Sequence, residues 1–348
     1  MRKEIRIGNR TIGEGYPLFI IAEIGITCNH DVTLTKELID VTEGAGADAV
    51  KLMFWFPEEI MSDKTIDYTY DTVYGVKSEN MFEMLSEFTF SLDEWFEIKA
   101  YAESKDIVLF STVNSPSGVA YTELLNLEAY KLSSWDYNYH SLWKRVANQG
   151  KPVLIDTGPV TTLEVAKVMQ LLKDAGNDQG ILVHCLHTDD HHEMNMRAIP
   201  YMEMAFDSLV GYSSKDSNDE TDIMAVALGA VLLEKRLTMN WNLPGHHHII
   251  SKIPDEFYEF VKLIRNVHGA LGEYDLKPSK RDLESKKKWF RHLVANEFLP
   301  KGTVLIENML EGKRPMSGVS PEYLDFFIGK VLKRDLEYNE SISWDDIG

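Results

Sequence analysis

Eight times in its first 240 residues the chain repeats one unit: a short apolar run ending in a polar or charged residue, then a helical segment. The runs are residues 18–23, 48–51, 107–112, 129–133, 152–157, 180–184, 209–213 and 231–236. Strands that alternate with helices form a parallel sheet, and eight such units are the number that closes a (β/α)8 TIM barrel. Active sites of such barrels sit where the strands end, so the strand-terminal residues make a short list of candidates. That list reads Glu23, Lys51, Thr112, Lys131, Ser134, Asp156, His184, Ser213, Lys215 and Arg236. A mouth with four cationic side chains, several hydroxyls and two carboxylates is suited to a small anionic substrate.

The 348 residues leave room for one barrel of about 250 residues and a small second domain. A formal net charge of −19 argues against nucleic acid or an anionic membrane as partner, and makes cations gathered at the strand ends more telling. The two cysteines, Cys28 and Cys185, cannot form a disulfide framework and suit a reducing cytoplasm. Glu23 splits the best apolar stretch, so neither a signal-peptide core nor a membrane span is expected, and the reading is of a cytoplasmic protein.

Residues 56–90 form the longest interruption of the repeat and read as a lid or an oligomer contact. After the eighth strand comes Pro244-Gly245-His246-His247-His248, then a helix from about 254 to 271. Residues 277–291 hold seven basic side chains in fifteen positions and read as a solvated linker helix. From His292 onward short apolar runs and tight turns predict a compact β-rich module. The expected domains are a barrel over 1–285 and the small module over 286–348.

Particular motifs make the chain resemble a known family. They are "FIIAEIG" with Asn29-His30 after it, "AGADAVK", "YKLSS" at 130–134, "DTG" at 156–158 and "HC" at 184–185. "GYSS" at 211–214, "AVALGA" at 225–230, "KRPMSGVSP" at 313–321 and "SWDDI" at 343–347 continue the series. In this order and spacing they resemble the sialic acid synthase (N-acetylneuraminate synthase) family, whose barrel is followed by a small β-rich antifreeze-like (SAF) domain. The resemblance implies condensation of phosphoenolpyruvate with the open-chain aldehyde of an N-acetylhexosamine. The products are a nonulosonic acid and phosphate, in surface carbohydrate or spore coat polysaccharide biosynthesis.

By the same resemblance, Lys51 and Lys131 hold phosphoenolpyruvate, with Thr112, Ser134 and Ser213 as hydroxyl donors to it. Glu23 serves as general acid/base; a carboxylate inside an apolar run costs several kcal/mol unless paired or working, with a salt bridge to Lys51 as the structural alternative. Asn29 and His30 shape the mouth. Arg314, in "KRP", matches an arginine that reaches the amino-sugar in the partner's barrel, which implies a domain-swapped homodimer.

Departures from the family pattern fall at the centre of the chemistry. The resemblance implies a divalent metal (Mn or Mg) held by two histidines, but those positions are Lys215 and Arg236, which cannot ligate a cation while charged. Asp156 replaces a small hydroxyl residue near the phosphate, His187 and Asp189 replace an Asn and a Tyr, and His247 replaces an Asp that contacts the sugar. Two readings follow. Lys215 and Arg236 substitute for the metal at the aldehyde oxygen or take a second anionic group. Alternatively the metal has moved to a cluster drawn from His184, His187, His191, His192, His246, His247 and His248, with Asp189 and Asp190 joining. A third reading is a non-catalytic relative that binds a sugar or phosphosugar or partners an active paralogue.

Overall fold

The computed structural model describes residues 3–188, 190–215 and 218–348. Two compact units divide the chain, Met1–Gly272 and Glu273–Gly348. The helix Lys280–Trp289, none of whose residues is buried, groups with the second unit, so the division falls earlier than residue 285.

In the first unit, β1 (Glu4–Ile7) and β2 (Arg10–Gly13) pair as an antiparallel hairpin. Eight parallel strands follow: β3 (Phe19–Glu23), β4 (Ala49–Met53), then β7 (Val108–Val113), β8 (Tyr130–Leu132), β9 (Val153–Asp156), β10 (Gly180–His184), β11 (Leu209–Ser213) and β12 (Leu232–Arg236). They close into a barrel in chain order, with β12 pairing back to β3. The predicted eight-unit barrel is the fold. Between β4 and β7 the long connection carries β5 (Asp67–Thr72) and β6 (Gly75–Asn80), an antiparallel hairpin. Helices Val32–Ala45, Leu92–Ser104 and Thr162–Asp174 start at the side-chain caps Asp31, Ser91 and Thr161, the last two in capping boxes with Glu94 and Glu164.

Strand side chains alternate between two cores, as the two-residue period of a strand requires. Ile20, Ala22, Val50, Leu182 and Leu233 join the layer between strands and helices. Phe19, Ile21, Ala49, Phe110, Ala129, Leu154, Val183 and Leu232 fill the barrel interior. Ile5, Ile7 and Ile12 of the N-terminal hairpin pack into the interior cluster at the end where the strands begin. That end is therefore plugged with hydrocarbon, and only the end where the strands finish can hold polar chemistry.

The second unit contains β13 (His292–Ala295) and β14 (Leu310–Lys313), paired antiparallel, and several isolated bridges. Leu293, Leu299, Leu305, Phe327, Leu332 and Leu336 are in its own small core. Among the described residues no helix is long and apolar enough to cross a membrane.

Candidate active site

Two successive interior positions of each strand decide what reaches the mouth. A residue two places after an interior hydrophobic faces inward as well. Ile21 is followed by Glu23, Ala49 by Lys51, Phe110 by Thr112, Ala129 by Lys131, Leu154 by Asp156 and Leu232 by Glu234, then Arg236. Register then fixes neighbours: Glu23 of β3 lies opposite Lys51 on one side and Arg236 on the other, and Thr112 lies opposite Lys131.

The result is a buried charge network. Glu23, Lys51 and Lys131 are each 2% exposed. Lys51 Nζ lies 3.3 Å from Glu23 Oε1 and 3.3 Å from Glu234 Oε1. Lys131 Nζ donates to the two oxygens of Glu234 at 2.7 and 2.6 Å and lies 3.1 Å from Asp156 Oδ1. Ser213 Oγ donates to Glu234 Oε1 at 3.2 Å. The hydroxyl of Thr112 is buried and has no hydrogen-bond partner among the described residues, as befits a group that serves a ligand.

Glu234 is thus the hub that joins both lysines and Ser213, and the strand-terminal list omits it because Arg236 ends the run. The signal is present in Glu234-Lys235-Arg236: on a strand, the first and third of three charged residues share a face. Lys235 faces the other way, donating to Asp222 Oδ2 at 2.6 Å, Ser214 Oγ at 2.9 Å and the Asn218 carbonyl at 2.6 Å.

Environment splits the carboxyls of this network. Burial raises Glu234, but Lys131 and Lys51 outweigh it and hold the carboxyl well below the usual range. Asp156 is raised: burial is the largest cause, and the opposing pull of Lys131 is weakened by repulsion from Glu234. Burial pushes the neighbouring Cys185 thiol up to about 12, so it stays protonated and is no nucleophile.

The histidines spread over separate environments. His184 sits on the outer face of β10, with Nε2 2.8 Å from the Met194 carbonyl and its ring beside Tyr212. The expectation that all these histidines meet in one mouth therefore does not hold for His184; strand alternation turns it away. His187 lies near the hydroxyl of Ser134, its Nε2 3.1 Å from Oγ, and stacks on Trp135. Gly158 makes room for this pair, since a Cβ there would stand 2.3 Å from Ser134 Oγ. His248 directs Nδ1 at Thr238 Oγ1 (2.7 Å) and Nε2 at the Pro244 carbonyl (3.0 Å) and Asn29 Oδ1 (3.2 Å).

His246 packs against Tyr68 and Tyr70 of the β5–β6 hairpin and against Phe88, which lays the long connection beside the mouth. His247 is half-buried, in a left-handed conformation (φ 71°), and its Nδ1 is buried without a hydrogen-bond partner among the described residues. Burial, then the charge of Arg236, holds His247 far below its ordinary value, so it is a neutral imidazole. His187 is lowered by burial, then by Lys215 and Arg236. Asn29 and His30 both take left-handed backbone conformations, and His30 packs between Phe88 and Phe90. His191, His192 and Asp190 are exposed, and Asp189 lies outside the described residues.

Among the described residues no group of three His, Cys, Asp or Glu side chains is placed to hold a metal ion. His184 and His248 are committed to carbonyl and hydroxyl partners, and Lys215 and Arg236 are cations. The donor set does not fit the divalent ion that the resemblance implies. Arg314 belongs to the second unit, where its Nε donates to the Trp289 carbonyl at 2.7 Å and its guanidinium lies over the Trp289 ring.

Comparison with known proteins gives the chain its relatives. Residues 38–275 match the model of the NeuB family, and residues 290–348 match that of the SAF domain. A protein of Methanocaldococcus jannaschii of undescribed activity is 33% identical, covering 99% of both chains. The N,N'-diacetyllegionaminic acid synthase of Campylobacter jejuni is 28% identical, covering 93% of this chain and 98% of that one. The N-acetylneuraminic acid synthetase of Leptospira borgpetersenii superposes with a TM-score of 0.72 at 26% identity, over 82% of this chain and 95% of that one.

Proposed function

Because the chain belongs to the NeuB family and carries a C-terminal SAF domain, we propose that it condenses phosphoenolpyruvate with the aldehyde of an N-acetylhexosamine, yielding a nonulosonic acid and phosphate. The observation that carries this reading is the pair of buried lysines, Lys51 on β4 and Lys131 on β8, that flank β7 and meet at Glu234, with the unpartnered hydroxyl of Thr112 on β7 between them. Fixed ammonium groups bind a phosphate and a carboxylate without reorganising.

In this reaction the enol carbon of phosphoenolpyruvate attacks the aldehyde carbon, and the carbonyl electron pair moves to oxygen. Water then adds to the cationic carbon that bears the phosphate ester. Glu23, in reach of Lys51 and facing Arg236, accepts the proton from that water and delivers it to the new alkoxide. The carbon–oxygen bond to phosphate breaks with the electron pair leaving on phosphate, which takes the remaining hydroxyl proton as the keto group forms. Ser134, His187, Ser213 and His247 line the substrate side of the mouth in this scheme.

The test is phosphate release from phosphoenolpyruvate against a panel of N-acetylated and phosphorylated hexosamines. Release that requires one sugar supports the synthase. The non-catalytic reading draws on Asp156, whose carboxyl faces the phosphate position, and it predicts binding without release. On the synthase reading the enzyme works in the cytoplasm, where phosphoenolpyruvate is made, and a second copy of the chain supplies Arg314 to the amino-sugar. Sedimentation would then report a dimer.

Asp156 also gives the site a pH signature. Its titration lies above the ordinary carboxyl value of 3.8, so it keeps its proton to higher pH than other carboxyls do. Protonated, it donates to an anion; ionised, it repels one. The groups that face it are Lys131, Glu234, Lys51, Cys185 and Tyr137. Sulfate, whose own charge is constant here, should bind the wild type less tightly as pH rises above 3.8, and this weakening should be smaller in Asp156→Asn, where His246, held at about 4, still titrates. Calorimetry across that range reads the difference, and an equal slope in both proteins excludes Asp156 as its source.

A further inference from the structure

We propose that the guanidinium of Arg236 is the electrophilic group for the aldehyde oxygen, and that this centre works without a divalent cation. The inference rests on the synthase reading and deepens it.

The geometry around Arg236 has three parts. Its Nη1 donates to the Ser214 carbonyl at 3.1 Å, which fixes one edge of the fork. Ser214 is tied in turn, its hydroxyl accepting from Lys235, which pairs with the fully buried Asp222. The second edge is open: Nε is buried, has no hydrogen-bond partner among the described residues, and stands 3.8 Å from Glu23 Oε2. That separation is too long for a hydrogen bond, yet one substrate oxygen can lie about 2.9 Å from Nε beside the carboxylate. Glu23 Oε1 is already engaged, accepting from Gly25 N at 2.8 Å and pairing with Lys51, so Oε2 is the oxygen turned to the reaction.

An arginine suits this position because it is charged at every working pH and its planar fork is directional. A donor held in place before charge develops stabilises an alkoxide without reorganising. Charge balance agrees. Lys215, whose field reaches His187 and His247, and Arg236 together bring two positive charges, the same as a divalent ion. Both imidazoles stay neutral in that field and remain available as hydrogen-bonding groups rather than added cations.

The experiment joins a binding titration to a rate. Mn²⁺ is titrated into the full-length protein, with and without phosphoenolpyruvate, and the free-ion electron paramagnetic resonance signal is followed. Phosphate release with the sugar panel is measured in parallel in EDTA and in added Mn²⁺. We expect no stoichiometric loss of the Mn²⁺ signal and turnover that survives EDTA. Arg236→Gln should lower kcat by about 10²–10³-fold, the loss found on removing one oxyanion donor, while phosphoenolpyruvate still binds by calorimetry. Lys235→Met, which frees Ser214, should lower kcat less and leave phosphoenolpyruvate KM unchanged.

Stoichiometric Mn²⁺ uptake, or EDTA-sensitive turnover restored by Mn²⁺, overturns the proposal while leaving the synthase standing. Wild-type kcat in Arg236→Gln also overturns it. No release with any sugar, with Mn²⁺ unbound and phosphoenolpyruvate bound, overturns the synthase reading and the role of Arg236 with it.

Discussion

Glu234→Ala should lower the unfolding free energy by about 3–5 kcal/mol, the cost of breaking a buried ion network by removing one partner. The carboxylate accepts two hydrogen bonds from Lys131, one from Ser213, and pairs with Lys51. Without it two ammonium groups, each 2% exposed, keep only Glu23 and Asp156 as ion-pair partners among the described residues. Urea denaturation followed by circular dichroism measures the effect; a variant as stable as the wild type would show that the lysines relax to water. Glu234 also sets an acid limb. Its carboxyl is held low in the folded state, so its stabilisation is present above the unfolded value of 4.5 and lost as pH falls below that. The Glu234→Gln variant should lack this limb.

Glu23→Gln should reduce turnover by about 10²–10⁴-fold, the range for loss of a general acid or base. The amide keeps the shape of the side chain and can still accept from Gly25 N, so the barrel end is preserved. It cannot accept a proton from water. The two candidate roles of Glu23 separate cleanly in single-turnover phosphate release. If it acts on water, kcat falls and phosphoenolpyruvate affinity holds. If it only offsets the charge of Lys51, 3.3 Å away, affinity changes and kcat does not.

The residues behind these two predictions differ in how plainly the chain announces them. Glu23 is conspicuous, a carboxylate closing an otherwise apolar run, and the physical cost of burying it marks it from the sequence alone. Lys51 likewise ends its run, and Lys131 and Asp156 stand within two residues of the ends of theirs. Glu234 does not; it lies two residues inside the last strand, and only its place within reach of both Lys51 and Lys131 makes it central. His184 fails in the opposite sense. It ends a strand, but alternation turns it toward the helices, and a list of strand ends does not weigh parity. The N-terminal hairpin is not legible at all, because Ile5, Ile7 and Ile12 are too few to announce a plug for the barrel floor.

Local pattern therefore determined the eight-unit barrel, the β-rich module after it, and most of the inward-facing charge, because strand period and the penalty on buried charge act over a few residues. Tertiary structure alone decided which charges meet. Barrel closure pairs β12 with β3, putting Arg236 opposite Glu23, residues more than two hundred positions apart in the chain. No short-range rule carries that information, since it comes from the register of strands brought together only when the sheet closes on itself.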